Sequence, residues 1–157
     1  MEPRDADESD LPALTALWHA AWHDAHARIV PGEIAVLRTP ESFEERLRAF
    51  MPHVRVVGAP VGFHVVRSFE LHQFYVAAAA RGTGVAARLL ADAEGMLSER
   101  GVHTAWLTCA VGNERARRFY EKHGWRLART GAENVPTPAG AFRLSIWRFE
   151  KQLSPTG

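Results

Sequence analysis

Residues 54–110 restrict the fold of this 157-residue chain more than any other stretch. VRVVGAPVGFHVVRSFELHQFYV is dense in β-branched and aromatic residues and is interrupted by Gly58-Ala59-Pro60, a hairpin signal, so it reads as three strands. From about Gly84 to Arg100 the apolar period becomes helical, with Val85, Leu89, Ala93, Met96 and Leu97 forming the buried stripe and Gly101 the stop. TAWLTCA, residues 104–110, then reads as a short buried strand. Strand, helix and strand in succession require a parallel pair joined by a right-handed crossover. The chain therefore combines parallel pairing with an antiparallel meander.

The flanks complete the order. Ser9 or Asp10 can cap a first helix, with Pro12 in its first turn and Leu11, Leu14, Trp18, Ala21, Trp22 and Ala25 at helical spacing as far as about Arg28. Thr39 caps a second, with Pro40 at its first position, Phe43, Leu47 and Phe50 on one face and Pro52 as terminator. Downstream, Asn113 caps the helix ERARRFYEKH, which stops at Gly124, and the strands WRLART and FRLSIWRFEK flank a loop, GAENVPTPAG. The order ααβββαβαββ predicts an α/β (α+β) fold around a mixed sheet.

Composition sets the scale. With 46% hydrophobic and 24% charged residues, the chain is expected to form a single domain over residues 1–157. Lys and Arg number 19 against 18 Asp and Glu, a net charge of +1 that gives no electrostatic case for nucleic acid or an anionic membrane. Any anion site must be local. The acidic start MEPRDADESD lacks the basic-then-apolar order of a secretory signal, and no apolar run is long enough to span a bilayer. Cys109, the one cysteine, can form no internal disulfide, which agrees with a reducing compartment and a cytoplasmic protein.

The local anion site is suggested by Arg81-Gly82-Thr83-Gly84, where two glycines bare backbone N–H groups just before a helix whose N-terminus carries partial positive charge. A nucleotide P-loop is excluded because no lysine follows these glycines before Lys122. GTGVAA satisfies the loose dinucleotide pattern G-x-G-x-x-[GA], but the strand that should end in an acidic residue ends in TCA, and the glycines follow a meander instead of a first strand.

A third template is the diphosphate of coenzyme A, and here the chain resembles the GNAT superfamily of acyl-CoA-dependent N-acyltransferases. The pattern [QR]-x-x-G-x-[GA] reads as Arg81, Gly82, Thr83, Gly84, Val85 and Ala86 after a strand ending in Phe74-Tyr75-Val76. Farther on, N-x-x-A-x-x-[FY]-Y-x-x-x-G-[FW] reads as Asn113, Ala116, Phe119, Tyr120, Gly124 and Trp125. The resemblance covers most of the chain. It implies a GNAT-like mixed, mostly antiparallel twisted sheet with a central splayed parallel strand pair and helices on both faces. It also implies acetyl-CoA as cosubstrate, held by the backbone of Val76, the loop from Arg81 to Ala86, Asn113 and Tyr120.

The reaction implied is direct attack of an amine on the thioester. Asn113 and Tyr120, seven residues apart, share a helix face, with Phe119 turned toward the core. A phenol with an ordinary pKa of about 10 stays protonated at neutral pH, which makes Tyr120 the candidate general acid for the departing thiolate. An attacking amine must first shed a proton. Glu70, eleven residues before Arg81, sits where histone acetyltransferase-type members carry their glutamate base, and His72 shares its strand face. A water chain would serve in place of either.

Other residues have less to say. His19, His23 and His26 recur along the first helix, but no fourth ligand accompanies them and no metal is expected. Cys109, inside an apolar strand, reads as a small buried hydrophobe. In the resembling fold the first helices and IVPGEI border the acceptor pocket, so Trp22, His26 and Glu33 are candidates for shaping specificity. The expected partner is a small-molecule or peptide amine, with a homodimer compatible with the sequence and no nucleic acid or membrane. A binding module that keeps the acyl-CoA slot without turnover is the rival reading, opposed by the presence of both Asn113 and Tyr120.

Overall fold

Seven strands in the computed structural model, which describes residues 1–153, form one sheet in the order β1-β2-β3-β4-β5-β7-β6. They are β1 (Arg4–Asp5), β2 (Val54–Val57), β3 (Gly62–Arg67), β4 (Glu70–Val76), β5 (Thr104–Ala110), β6 (Arg126–Thr137) and β7 (Gly140–Gln152). Every neighbouring pair is antiparallel except β4 and β5, the parallel pair that the crossover helix α4 (Val85–Glu99) requires.

Alternation along the strands divides the core between two faces. On one side Val56, Phe63 and Val65 pack against α1 (Leu11–His26) and α3 (Pro40–Phe50), where Trp18 is fully buried with its ring 4.8 Å from Phe43 and 5.5 Å from Phe63. On the other, Val66, Leu71 and Phe149 meet α4 and Trp125, just beyond α5 (Glu114–Lys122). Leu90, Ala93 and Leu97 of α4 are buried there, and Leu90 takes a place in the stripe that Met96, only half-buried, does not. Burying side chains of this size contributes roughly 1.5–3 kcal/mol each, so both helical layers are anchored by the sheet.

The structure departs from the sequence expectation in three places. Residues Gly32–Leu37, within what reads as a connection, form the short helix α2. Arg4–Asp5 add an edge strand, pairing with Val56 and Arg55. The expected loop GAENVPTPAG is mostly strand: β6 runs to Thr137 and β7 starts at Gly140, with pairing continuous from Gly131↔Ile146 to Thr137↔Gly140. Gly131 and Pro136 hide this extension, but β6 is the outermost strand of the sheet, where proline removes no essential ladder bond.

Candidate active site

The parallel pair opens almost as soon as it forms. β4 and β5 share one register pair, Glu70↔Trp106, supported by the Trp106 amide donating to the Phe69 carbonyl at 3.1 Å. Beyond it the strands part, while β4 stays paired with β3 as far as Val76↔Gly62. The residues of β4 therefore face two spaces.

The first space is a slot of about 340 Å³. Phe74 and Val76 form one wall, Ala21 and Ala25 of α1 another, and Asn113, Phe119 and Tyr120 of α5 a third, with Gly82 and Ala86 at one edge. Gly82 and Gly84 have φ of +77° and +87°, a left-handed backbone that glycine adopts without strain. A Cβ built on either would meet nothing within 4 Å. No side chain caps the N-terminus of α4, whose first amides follow Gly84. Open space beside uncapped amides suits an anionic group, so the donor set fits a diphosphate. Thr83, Gly84 and Val85 border a neighbouring depression with Met1 and Arg88, and the Val85 side chain is buried. None of these three lines the slot itself, and the Thr83 amide donates to the Ala80 carbonyl at 3.3 Å.

Arg81 lies at this edge, but its guanidinium is engaged. Its Nη2 donates to Asp24 Oδ2 of α1 at 2.6 Å, and Arg115 Nη1 donates to the same oxygen at 3.0 Å. Hydrogen bonds from Arg81 and then Arg115 hold the Asp24 carboxyl below its ordinary range. Neither Asp24 nor Arg115 stands out in the sequence, because two exposed charges separated by most of the chain give no local pattern. Asn113 caps α5, its Oδ1 accepting from the Ala116 amide at 3.3 Å. Tyr120 is buried among Phe74, Trp125 and Phe149, and burial raises its phenol above the ordinary value. Phe119, expected to turn toward the core, lines the slot as well, stacked on Phe74 at 5.6 Å between ring centroids. The physical reason is that the core reaches the slot here: Phe74 belongs to both.

The second space is a cavity of about 440 Å³ between the α1–α3 layer and the β6–β7 hairpin. Glu70 and His72 both line it, and His72 Nδ1 lies 3.0 Å from Glu70 Oε2. With a carboxylate as acceptor, Nδ1 carries the proton and Nε2 remains free to accept one. Phe50 meets the His72 ring edge-on at 5.2 Å, and Arg67 Nε lies 3.5 Å from Glu70. Trp22 and His26 line the same cavity, as expected, whereas Glu33 does not and is exposed.

His26 hydrogen-bonds through Nδ1 to the Trp22 carbonyl at 2.9 Å, and burial lowers its pKa to about 4. His23 meets the Arg38 carbonyl at 2.8 Å. Among the described residues, no group of three or more His, Cys, Asp or Glu side chains is placed to hold a metal ion. Cys109 also faces the cavity, its thiol pushed up to about 12 by burial, which keeps it protonated. No helix among the described residues is long and apolar enough to cross a membrane.

A splayed parallel pair flanked by an uncapped helix N-terminus and a buried tyrosine is the arrangement of an acyl-CoA-dependent acetyltransferase. The chain belongs to the acetyltransferase (GNAT) family, whose model matches residues 11–125. Its fold is similar to that of a GCN5-related N-acetyltransferase from Rhodopseudomonas palustris, at a TM-score of 0.75 and 19% identity over 96% of this chain and 94% of that one. PaiA N-acetyltransferase from Thermoplasma acidophilum, solved with coenzyme A, is similar at 0.72 and 18% over 96% and 98%. YncA from Salmonella typhimurium, a putative acetyltransferase solved with acetyl-CoA, is similar at 0.66 and 19% over 100% and 96%. No curated protein matches the chain.

Proposed function

We propose that this chain transfers an acetyl group from acetyl-CoA to a primary amine by direct attack, without an acyl-enzyme. The observation that carries the reading is the parting of β4 from β5 after Glu70↔Trp106, which sets Tyr120 on the slot and the Glu70–His72 pair on the adjoining cavity. The backbone of Val76 and of residues 81–86, with Asn113, holds the cofactor, and the thioester supplies the acetyl group as its C–S bond gives way to a C–N bond. His72, oriented by Glu70, takes the proton the amine sheds. Tyr120 keeps its own proton at any working pH because burial raises it, so it can donate a hydrogen bond to the leaving sulfur. A phenol of pKa 10 or more gives its proton to a thiolate near 8.5 only uphill. Its contribution is therefore a hydrogen bond that stabilises the charge developing on sulfur, and the thiolate leaves with that charge or takes its proton from solvent.

Tyr120→Phe tests this. Thermal stabilisation by coenzyme A should persist, while thiol release from acetyl-CoA in the presence of amines should slow by about 10²-fold or more. Unchanged turnover would remove Tyr120 from the mechanism, and absence of any stabilisation of the wild-type protein by coenzyme A would end the acetyltransfer reading.

A further inference from the structure

Shielded arginines in this protein follow a rule that two of them break. Arg55, Arg117 and Arg148, each largely shielded from solvent, donate to Asp92 at 2.9 Å, Glu121 at 2.8 Å and Glu150 at 3.0 Å. Arg38 and Arg46 line the 440 Å³ cavity, and neither side chain has a carboxylate or other hydrogen-bond partner among the described residues. Arg38 is 5% exposed and its buried Nε makes no hydrogen bond. Its guanidinium carbon lies 5.8 Å from the Trp22 ring centre, and that of Arg46 lies 4.5 Å over the Trp18 ring. Ring faces offset part of the cost of removing a cation from water, but they leave the N–H donors unmet.

The cavity's own carboxylates are used elsewhere. Glu70 is engaged with His72 and Arg67, and Glu133 accepts from Thr108 at 3.3 Å. Burial pushes both guanidinium groups below their ordinary values, Arg46 to about 10, with the like charge of Arg38 adding to the effect on Arg46. Two neighbouring cations, Arg38 buried and Arg46 half-buried, without an anion form an incomplete site. A guanidinium fork is suited to carboxylate or phosphate, which it can meet through two parallel hydrogen bonds.

We propose that Arg38 and Arg46 form an anion subsite of the acceptor cavity, and that the amine acetylated here belongs to a small molecule that also carries a carboxylate or phosphate. This rests on the acetyltransfer reading and names its substrate class. The cavity has the scale of a single small-molecule site. Val135, Phe142 and Leu144 of the β6–β7 hairpin pack against the α1–α3 core, bounding it on one side. Apolar walls from Trp22, Ile34, Phe50 and Trp106 leave room for a hydrophobic body between the charges. A peptide N-terminus would bring amide carbonyls to these cations in place of charge.

The test is thiol release from acetyl-CoA with the twenty amino acids, each against its carboxamide, and with phosphoethanolamine against ethanolamine. At least one anionic member should exceed its neutral partner tenfold or more in kcat/KM. Arg38→Met and Arg46→Met should bring that ratio to within about twofold, while Arg38→Lys, which keeps charge but loses the fork, should retain part of it. Preference confined to phosphoethanolamine would support the subsite and assign it to phosphate. Equal use of charged and neutral partners, or a preference that survives both Met variants, would overturn it. Calorimetry of the same pairs on the protein saturated with coenzyme A keeps the two readings separate. Discrimination in binding without turnover would sustain the subsite while acetyltransfer fails, and no discrimination by either readout would overturn the subsite alone.

Discussion

Gly84→Ala separates what the loop before α4 does for the fold from what it does for a ligand. Gly84 has φ of +87°, and at the far end of α4 Gly101 has φ of +79°; a Cβ at either meets nothing within 4 Å. Neither substitution produces a clash, so the cost to the fold is conformational. A left-handed non-glycine residue costs roughly 1–2 kcal/mol. For a chain of this size that lowers Tm by about 2–8 °C, because 1 kcal/mol is worth about 2–4 °C. Gly84→Ala and Gly101→Ala should therefore unfold at similar temperatures. Only Gly84 lies in the loop proposed to receive the diphosphate, where the added methyl fills the open space and holds the ligand away from the amides. Its dissociation constant for coenzyme A should rise tenfold or more, about 1.4 kcal/mol, while that of Gly101→Ala stays at the wild-type value. Differential scanning calorimetry and isothermal titration measure the two quantities on the same samples. Equal affinities in the two variants would refute the idea that the bare backbone at residue 84 is a ligand-binding feature.

Two further outcomes follow from buried titratable groups. His26 has its pKa lowered by burial to about 4 from an ordinary value of about 6.5, so the fold favours the neutral ring. This contribution is fully present above the unfolded value, diminishes as pH falls through 6.5, and is exhausted once pH passes the folded value. Stability in urea should drop by roughly 3 kcal/mol between pH 7 and pH 4 from this group, and His26→Gln should flatten that slope; an unchanged slope would remove His26 as its source. Cys109, with its thiol pushed up to about 12 against an ordinary value of about 8.5, holds about 3 × 10³-fold less thiolate at neutral pH than a free cysteine. Iodoacetamide should label it correspondingly slowly in the native protein and at the ordinary rate in urea, and rapid native labelling would contradict its assignment as an unreactive buried thiol.

What could be read in advance was what depends on local chemistry. Caps, terminators and a 3.6-residue period place α1, α3, α4 and α5 because each signal acts within a few residues of its effect: Thr39 accepts from the Ser42 amide, and Asn113 from that of Ala116. The glycines at 82 and 84 are legible for the same reason. The length of the β6–β7 hairpin was not, since Gly131, Pro136 and Pro138 read as loop residues unless it is known that β6 occupies an edge. α2 is too short to show a period, and β1 is only two residues long. At the site, Glu70 and His72 could be paired from strand alternation alone. The Arg81–Asp24–Arg115 cluster and the buried Arg38 could not, because their environments are assembled from elements far apart in the chain.

The separation of slot from cavity comes down to one extra residue in β4. Val65 and Val66 of β3 face Gln73 and Leu71, so His72 is unmatched and forms a bulge. Before it, Glu70 and His72 point to the α1–α3 side and Leu71 to the α4–α5 side. After it the parity reverses: Tyr75 packs with Trp18 and Phe63, while Phe74 stacks on Phe119 across the slot. A regular strand would have sent Phe74 to the α1–α3 core and placed the Tyr75 phenol against α5, because side-chain direction alternates at every residue. Tyr75 instead packs in the aromatic layer with Trp18 and Phe63, its pKa raised to about 12 by burial, and meets the slot alongside Tyr120. Bulges also bend the strand that carries them. β4, bulged at His72, shares only the register pair Glu70↔Trp106 with β5, so on the side away from β3 the backbone from Gln73 to Val76 pairs with no strand among the described residues.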